Sequence, residues 1–337
     1  MQKQELCSIQ YLRAVASLSV VMFHLTDRYG GSLLVGSSGV DIFFVISGFI
    51  MWVTTADRRV TPADFAKKRV VRIVPNYWIA TVVTALLILV KPNFMYGHEL
   101  DLSRFVGSLL FLPTLSGGKI LPVVLQGWTL VFEMIFYALF MIALFVKQQY
   151  RVYLLASSLI AMAIGHMAAA EPHVVAITNP ILLEFLAGVL LAIIWKSIAL
   201  APGAASALAL AGAMGLALSE YLKPDLHEVL KFGVPAGLLV AGSVFYEKAR
   251  RLADIRLLRL LGDASYSIYI WHVAVATILQ GVLLRLHLPL AVQIVLEGFG
   301  TVFVTCMIYI SVERPITQFL HNLVVAKLAT RTSDQFS

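Results

Sequence analysis

Residues 11–25 read Tyr-Leu-Arg-Ala-Val-Ala-Ser-Leu-Ser-Val-Val-Met-Phe-His-Leu, with Arg13 and His24 ten uncharged residues apart in an otherwise apolar run. As a helix, eleven steps of about 100° return to within roughly 20° of the starting direction, so both side chains share one face, about 16 Å apart along the axis. A charged and a titratable group inside an apolar span cost insertion energy, which makes the pair a functional-site candidate. The alternative is an arginine that snorkels to the interface and a histidine satisfied by a neighbouring helix.

Composition gives this segment its setting. The 337 residues are 59% hydrophobic and 13% charged, with a mean hydropathy of +0.85. A soluble domain of this size could not bury so much apolar surface, so the reading is an all-α polytopic membrane protein, its helices in one bundle. Cys7 and Cys306 offer neither a disulfide framework nor a metal cluster. The net charge of +7 reads as topology and lipid contact, not as a nucleic-acid surface. Arg13 interrupts the apolar core of the first segment and no small-residue cleavage site follows it, against a cleaved signal peptide.

Apolar windows long enough to cross a bilayer fall near 10–26, 37–55, 75–90, 122–146, 151–170, 179–196, 203–219, 229–247, 265–285 and 290–312. About ten transmembrane helices are therefore expected, with 105–113 too short to span and suited to a re-entrant or interfacial piece. Pro75, Pro92, Pro113, Pro172, Pro202, Pro224 and Pro289 mark junctions where helix breakers belong. Neither an internal repeat nor an appended soluble domain is visible. The domain reading is 1–315 as the transmembrane unit and 316–337 as a short polar cytoplasmic tail.

Charge asymmetry sets the expected orientation. With the N-terminus inside, the inner segments hold 18 Lys and Arg residues, Lys3, Arg58, Arg59 and Lys223 among those counted on one side or the other, and the outer segments hold 7. Both termini are then cytoplasmic. Arg13 falls in the inner half of the first span, above Arg69 and Arg72, giving an inner cationic layer. His24, Asp41 and Glu133 fall at the outer level, giving an acid–base layer. His272 is expected in the inner half of the ninth span and Glu313 at the inner end of the tenth.

Each layer has a chemistry. Arg69 and Arg72 are three apart, on one side of a helix, and arginine suits capture of phosphate oxygens; an anionic-lipid anchor explains the same pair. His24 has the character of a general base, with Asp41 or Glu133 fixing its tautomer; a proton relay or a structural charge pairing would use the same residues. No nucleophile elbow, phosphate loop, zinc-spaced His/Cys set or dinucleotide-binding turn occurs. His98, His166, His173, His227, His287 and His321 read as ordinary polar residues, and Glu184 and Glu297 as structural acids.

Six collinear motifs resemble the acyltransferase type 3 family of integral membrane O-acyltransferases. They are Arg13-x10-His24, Gly39-Val-Asp41-Ile-Phe-Phe-Val-Ile-Ser47-Gly48-Phe49, Phe65-x3-Arg69-x2-Arg72-Ile-x-Pro75-x-Tyr77, Trp128-Thr-Leu-x2-Glu133, Ser265-Tyr-Ser-Ile-Tyr-Ile-Trp271-His272 and Glu313-Arg-Pro315. The chain looks most like the exopolysaccharide-modifying branch, as in acetyltransferases of succinoglycan-type polymers. The resemblance implies transfer of an acyl group, acetyl by default, from cytoplasmic acetyl-CoA to a hydroxyl of a sugar, polysaccharide or lipid-linked oligosaccharide at the outer face. It also implies no metal and a bacterial inner-membrane location, beside lipid and polysaccharide-synthesis machinery. Carried over by position, His24 is the catalytic histidine with Arg13 its partner, Glu133 a further essential acid, and Arg69 and Arg72 the coenzyme A phosphate contacts; Asp41 or Glu133 orients the His24 ring, and Arg13 and His272 complete the candidate coenzyme set. His24 acts either as general base or as an acyl relay. Some relatives carry an extracytoplasmic SGNH-type domain; without one, transfer is expected from the membrane domain alone or with a separate partner. The competing reading is a glycan flippase with a buried proton relay, though the paired broken helices of transporters are not visible.

Overall fold

A computed structural model describes residues 6–56, 60–91, 100–116, 119–221 and 228–333, with side chains through 323. Lys3, Arg58, Arg59, Pro92, His98, Lys223, Pro224 and His227, used in the sequence reading, lie outside the described residues. The chain is helical nearly throughout. In order it forms α1 (Cys7–Arg28), α2 (Gly39–Thr55), α3 (Pro62–Val90), α4 (Leu102–Leu109), a small hairpin of β1 (Leu115–Ser116) and β2 (Lys119–Ile120), then α5 (Gly127–Ala143), α6 (Gln148–Ala168) and α7 (Pro172–Ile177). There follow α8 (Leu183–Ser197), α9 (Pro202–Leu218), α10 (Val234–Ala249), α11 (Arg256–Leu283), α12 (Leu290–Ile308) and α13 (Arg314–Ser333).

Among the described residues, nine helical stretches are long and apolar enough to cross a membrane. The expected tenth, α5, is apolar but only 17 residues long. The helices are apolar on their outer sides as well: Leu89, Val90, Met167, Phe299 and Phe303 stand exposed, as lipid-facing residues do. This is an all-α polytopic membrane protein.

One detail departs from the sequence reading and two add to it. Pro75 does not end a helix but sits inside α3, which therefore starts at Pro62 and carries Arg69 and Arg72 on the same rod as the span beyond. Proline removes one backbone donor there, and Tyr266 Oη donates to the carbonyl of Ile73 at 2.8 Å beside the interruption. The 105–113 segment is the short α4, anchored through its side chains. The polar C-terminal stretch is helical, entered from α12 through a π-helical turn at Tyr309–Glu313.

Close crossings by small residues set the packing. A Cβ at Gly48 would stand 2.0 Å from the carbonyl oxygen of Phe185, and one at Gly188 would stand 2.0 Å from that of Val45, so α2 and α8 meet backbone to backbone. Gly262 of α11 lies as close to α1, where a Cβ would reach Gln10 O at 2.2 Å. The open N-terminus of α1 is closed by a carboxylate from α10: Glu247 accepts from Cys7 N and Ser8 N, both at 2.8 Å, satisfying donors that a helix start leaves free.

Candidate active site

The α1–α11 contact carries the opening pair. Arg13, 8% exposed, donates from Nε to Ser265 Oγ at 3.2 Å and from Nη1 to Gln10 Oε1 at 3.4 Å. Nearer the other end of α1, the ring of His24 packs on that of His272, with centroids 5.1 Å apart. Both side chains thus turn toward α11, and the two residues open onto different cavities.

The first cavity encloses about 750 Å³ of empty space, open solvent at its mouth included, and is lined by Arg13, Arg69, Arg72, Glu133, Tyr137 and Tyr266 among others. The Arg69 guanidinium lies 5.8 Å from the ring centroids of both Phe65 and Tyr137, a cation–π setting on two sides. Its Nε is buried with no hydrogen-bond partner among the described residues. Glu133 accepts from Tyr137 Oη through a short hydrogen bond and from Ser47 Oγ at 3.4 Å. A cavity with three guanidiniums and an unfilled donor suits a multiply charged anion.

The second cavity, of about 760 Å³ by the same measure, is lined by His24, Asp41, Gln126, Trp128, Glu228 and Phe232 among others. Among the described residues no protein group hydrogen bonds the ring nitrogens of His24. Val40 and Tyr269 belong to both linings and so form the partition between the cavities. Tyr269 is fixed by its hydroxyl: Thr129 Oγ1 donates to the backbone carbonyl of Gln126 at 2.9 Å, which leaves Thr129 to accept from Tyr269 Oη, also at 2.9 Å.

The loop that delivers Gln126 and Trp128 to this cavity is held by buried polar contacts. Arg104 donates from Nε to Leu121 O at 3.1 Å and from Nη2 to Pro122 O at 2.9 Å. Ser108 Oγ accepts from Val123 N at 2.9 Å. Asp101 caps α4, and hydrogen bonds from the Ser103 hydroxyl and the Arg104 amide hold its carboxyl below the usual range. Burial lowers the Arg104 guanidinium from its ordinary value, against the attraction of Asp101.

The structure redistributes several sequence-derived candidates. Glu133 does not share a layer with His24 and Asp41. It faces the arginine cavity, because Gln126, the residue just before α5, lines the His24 cavity and Glu133 lies nearly two turns further along. His272 is not at the level of Arg13 but against His24, past the middle of a helix that starts at Arg256. Asp41 lines the His24 cavity yet makes its side-chain contact with Glu184, whose two carboxyl oxygens find no donor group among the described residues. Glu297 is a structural acid, accepting from Tyr29 Oη at 2.6 Å and lying 3.6 Å from Arg28.

Two features escaped the sequence reading. Gln126 carries little signal in the sequence, as a lone glutamine before a helix. Glu313 was placed in a motif but given no task. The π-helical turn aims it at Ser267 Oγ (2.5 Å) and Asn76 Nδ2 (3.2 Å), and Asn76 in turn accepts from Trp271 Nε1 at 3.0 Å. This network ties α3, α11 and the end of α12 beneath the ring pair.

Among the described residues no group of three or more His, Cys, Asp and Glu is placed to hold a metal ion. Comparison with known proteins settles the family: the acyltransferase-domain family model matches residues 8–310. The chain belongs to the type 3 acyltransferase family. It is 37% identical over 303 residues to the exopolysaccharide production protein ExoZ of Rhizobium meliloti, covering 88% of this chain and 94% of that protein. It is 24% identical over 350 residues to the peptidoglycan O-acetyltransferase OatA of Listeria monocytogenes, covering 92% of this chain but 55% of that protein. No solved structure matches.

Proposed function

We propose that the protein is an inner-membrane O-acyltransferase that moves an acetyl group from cytoplasmic acetyl-CoA to a hydroxyl of an extracytoplasmic polysaccharide or its lipid-linked precursor. The carrying observation is the pair of cavities that meet at Val40 and Tyr269, one lined by three arginines and the other by His24. The names of the two relatives support a glycan acceptor. The excess of basic residues on the segments around Arg69 and Arg72 supports a cytoplasmic arginine end.

In this reading the phosphates of coenzyme A sit on Arg69 and Arg72. The Arg69 cradle fits them, since its Nε is a buried donor in want of an acceptor. Arg13 flanks the pantetheine arm, which runs past Tyr269 and brings the thioester to His24. Neutral His24 takes the proton from the acceptor hydroxyl as its oxygen attacks the thioester carbon. The new C–O bond forms, the C–S bond breaks, and the imidazolium returns its proton to the departing thiolate. His272 holds the His24 ring at the reacting end, and Asp41 shapes the acceptor side. Glu133, hydrogen bonded to Tyr137 and Ser47, braces the arginine cavity.

Thermal stabilisation of the detergent-purified protein by coenzyme A tests the donor half, because a ligand that binds only the folded state raises its melting temperature. The expected result is a clear rise for the wild-type protein, abolished in the Arg69→Ala/Arg72→Ala double variant. No rise in the wild-type protein would contradict the reading.

A further inference from the structure

Gln126 is 3% exposed, and the orientation of its amide follows from the histidine beside it. His272 Nδ1 lies 2.8 Å from Tyr269 O and 3.1 Å from Ile268 O. Carbonyl oxygens only accept, so Nδ1 carries the ring proton and Nε2 presents a lone pair. The side-chain nitrogen of Gln126 lies 3.4 Å from that Nε2 and donates to it. The amide therefore turns its carbonyl away from His272. That oxygen, Oε1, is buried and has no hydrogen-bond partner among the described residues, while Gln126 itself lines the cavity that holds His24. A buried, orphaned acceptor whose direction is set by its neighbours awaits a donor from a bound molecule.

The rest of that lining says what the molecule is. The indole of Trp128 offers an apolar face, Asp41 and Glu228 offer carboxyl oxygens, and among the described residues no lysine or arginine lines the cavity. Such a surface complements a compound rich in hydroxyl donors with one apolar side, and its two carboxyl groups oppose an anion. A neutral sugar has both properties; a uronic acid or a phosphorylated sugar does not.

We infer that Gln126 Oε1 accepts a hydrogen bond from the acceptor, a neutral sugar residue, and so places the adjacent hydroxyl at His24. The inference rests on the reading of the His24 cavity as the acceptor end. It makes Gln126 an acceptor-binding residue whose carbonyl direction is relayed from the backbone of α11 through His272.

The test measures transfer of labelled acetyl from acetyl-CoA by the purified full-length protein. The acceptor is extracellular polysaccharide from the source cells, stripped of esters by mild alkali. Gln126→Met keeps the side-chain length and removes the acceptor atom; the KM for polysaccharide should rise about tenfold or more, the equivalent of one lost hydrogen bond to a buried partner. The KM for acetyl-CoA should stay within about twofold, below the smallest shift expected from a lost hydrogen bond. Gln126→Asn, which draws the carbonyl back by one methylene, should fall between the two and decides the matter if Gln126→Met does not fold. Absence of transfer by the wild-type protein would overturn the functional reading beneath the inference. Transfer with an unchanged polysaccharide KM, or a rise confined to acetyl-CoA, would overturn the Gln126 assignment alone.

Discussion

The rings of His24 and His272 pack 5.1 Å apart, although they come from α1 and α11 at opposite ends of the chain. The contact depends on the close approach of those helices at Gly262, where any side chain meets the backbone of Gln10 at 2.2 Å. Gly262→Ala is therefore expected to push the helices apart and destabilise the protein by about 1–3 kcal/mol, the usual range for overpacking. Thermal denaturation in detergent checks this, and an unchanged melting temperature would mean that the crossing yields freely.

Arg69 should not tolerate lysine. Its guanidinium lies between Phe65 and Tyr137, 5.8 Å from each ring centroid, and an ammonium offers neither the planar stacking nor the fork of donors. Arg69→Lys is expected to raise the acetyl-CoA KM at least about fivefold, an effect of roughly 1 kcal/mol, with kcat much less affected. Steady-state kinetics at fixed acceptor measure the split.

Tyr269 and Val40 divide the two cavities, so removing the phenol should widen the passage between them. Tyr269→Ala is expected to shift donor preference from acetyl-CoA toward propionyl- and butyryl-CoA, as a lost steric wall does in a pocket sorted by methylenes. Competition between the three donors, read by mass of the product ester, checks it. An unchanged preference would place the limiting constriction elsewhere.

Arg104 fixes the loop that presents Gln126 and Trp128. Arg104→Met leaves the buried carbonyl of Pro122 without its side-chain donor and that of Leu121 with only the Thr114 hydroxyl at 3.4 Å, and a loss of about 1–3 kcal/mol of stability is expected for the unsatisfied buried group. The cap of the same helix adds a pH dependence. The Asp101 carboxyl is held below its ordinary range by Ser103 and the Arg104 amide, so its contribution is present above the unfolded value. That contribution is lost as pH falls through the lower folded value. Asp101→Asn should flatten the acid side of the melting-temperature profile, measured between neutral and acid pH against the wild-type protein.

Much of this was legible in the apolar periodicity. The long helices appear where mean hydropathy places them, and Arg13 and His24 both face α11, as eleven steps around a helix require. Depth was harder to read. The window chosen for the ninth span began at 265, while α11 begins at Arg256, and this offset misplaced His272 toward the arginine level. Glu133 departs from the outer layer for a related reason: α5 starts at Gly127, so Gln126 and Trp128 line the His24 cavity and Glu133 lines the arginine cavity. Pro75 reads as a boundary because local chemistry disfavours it in a helix, whereas in the structure α3 runs through it from Pro62 to Val90. Gln126 gave no signal at all, since its meaning lies in a tautomer fixed by a helix far away in sequence.

The central claim, donor binding at the arginines and chemistry at His24, is tested most directly by one comparison in the His24→Ala variant. Coenzyme A affinity and acetyl transfer from labelled acetyl-CoA to ester-stripped polysaccharide are measured side by side on purified protein. The account predicts coenzyme A affinity within about threefold of wild type, under 1 kcal/mol, with transfer lost. Transfer at the wild-type rate by His24→Ala would contradict it.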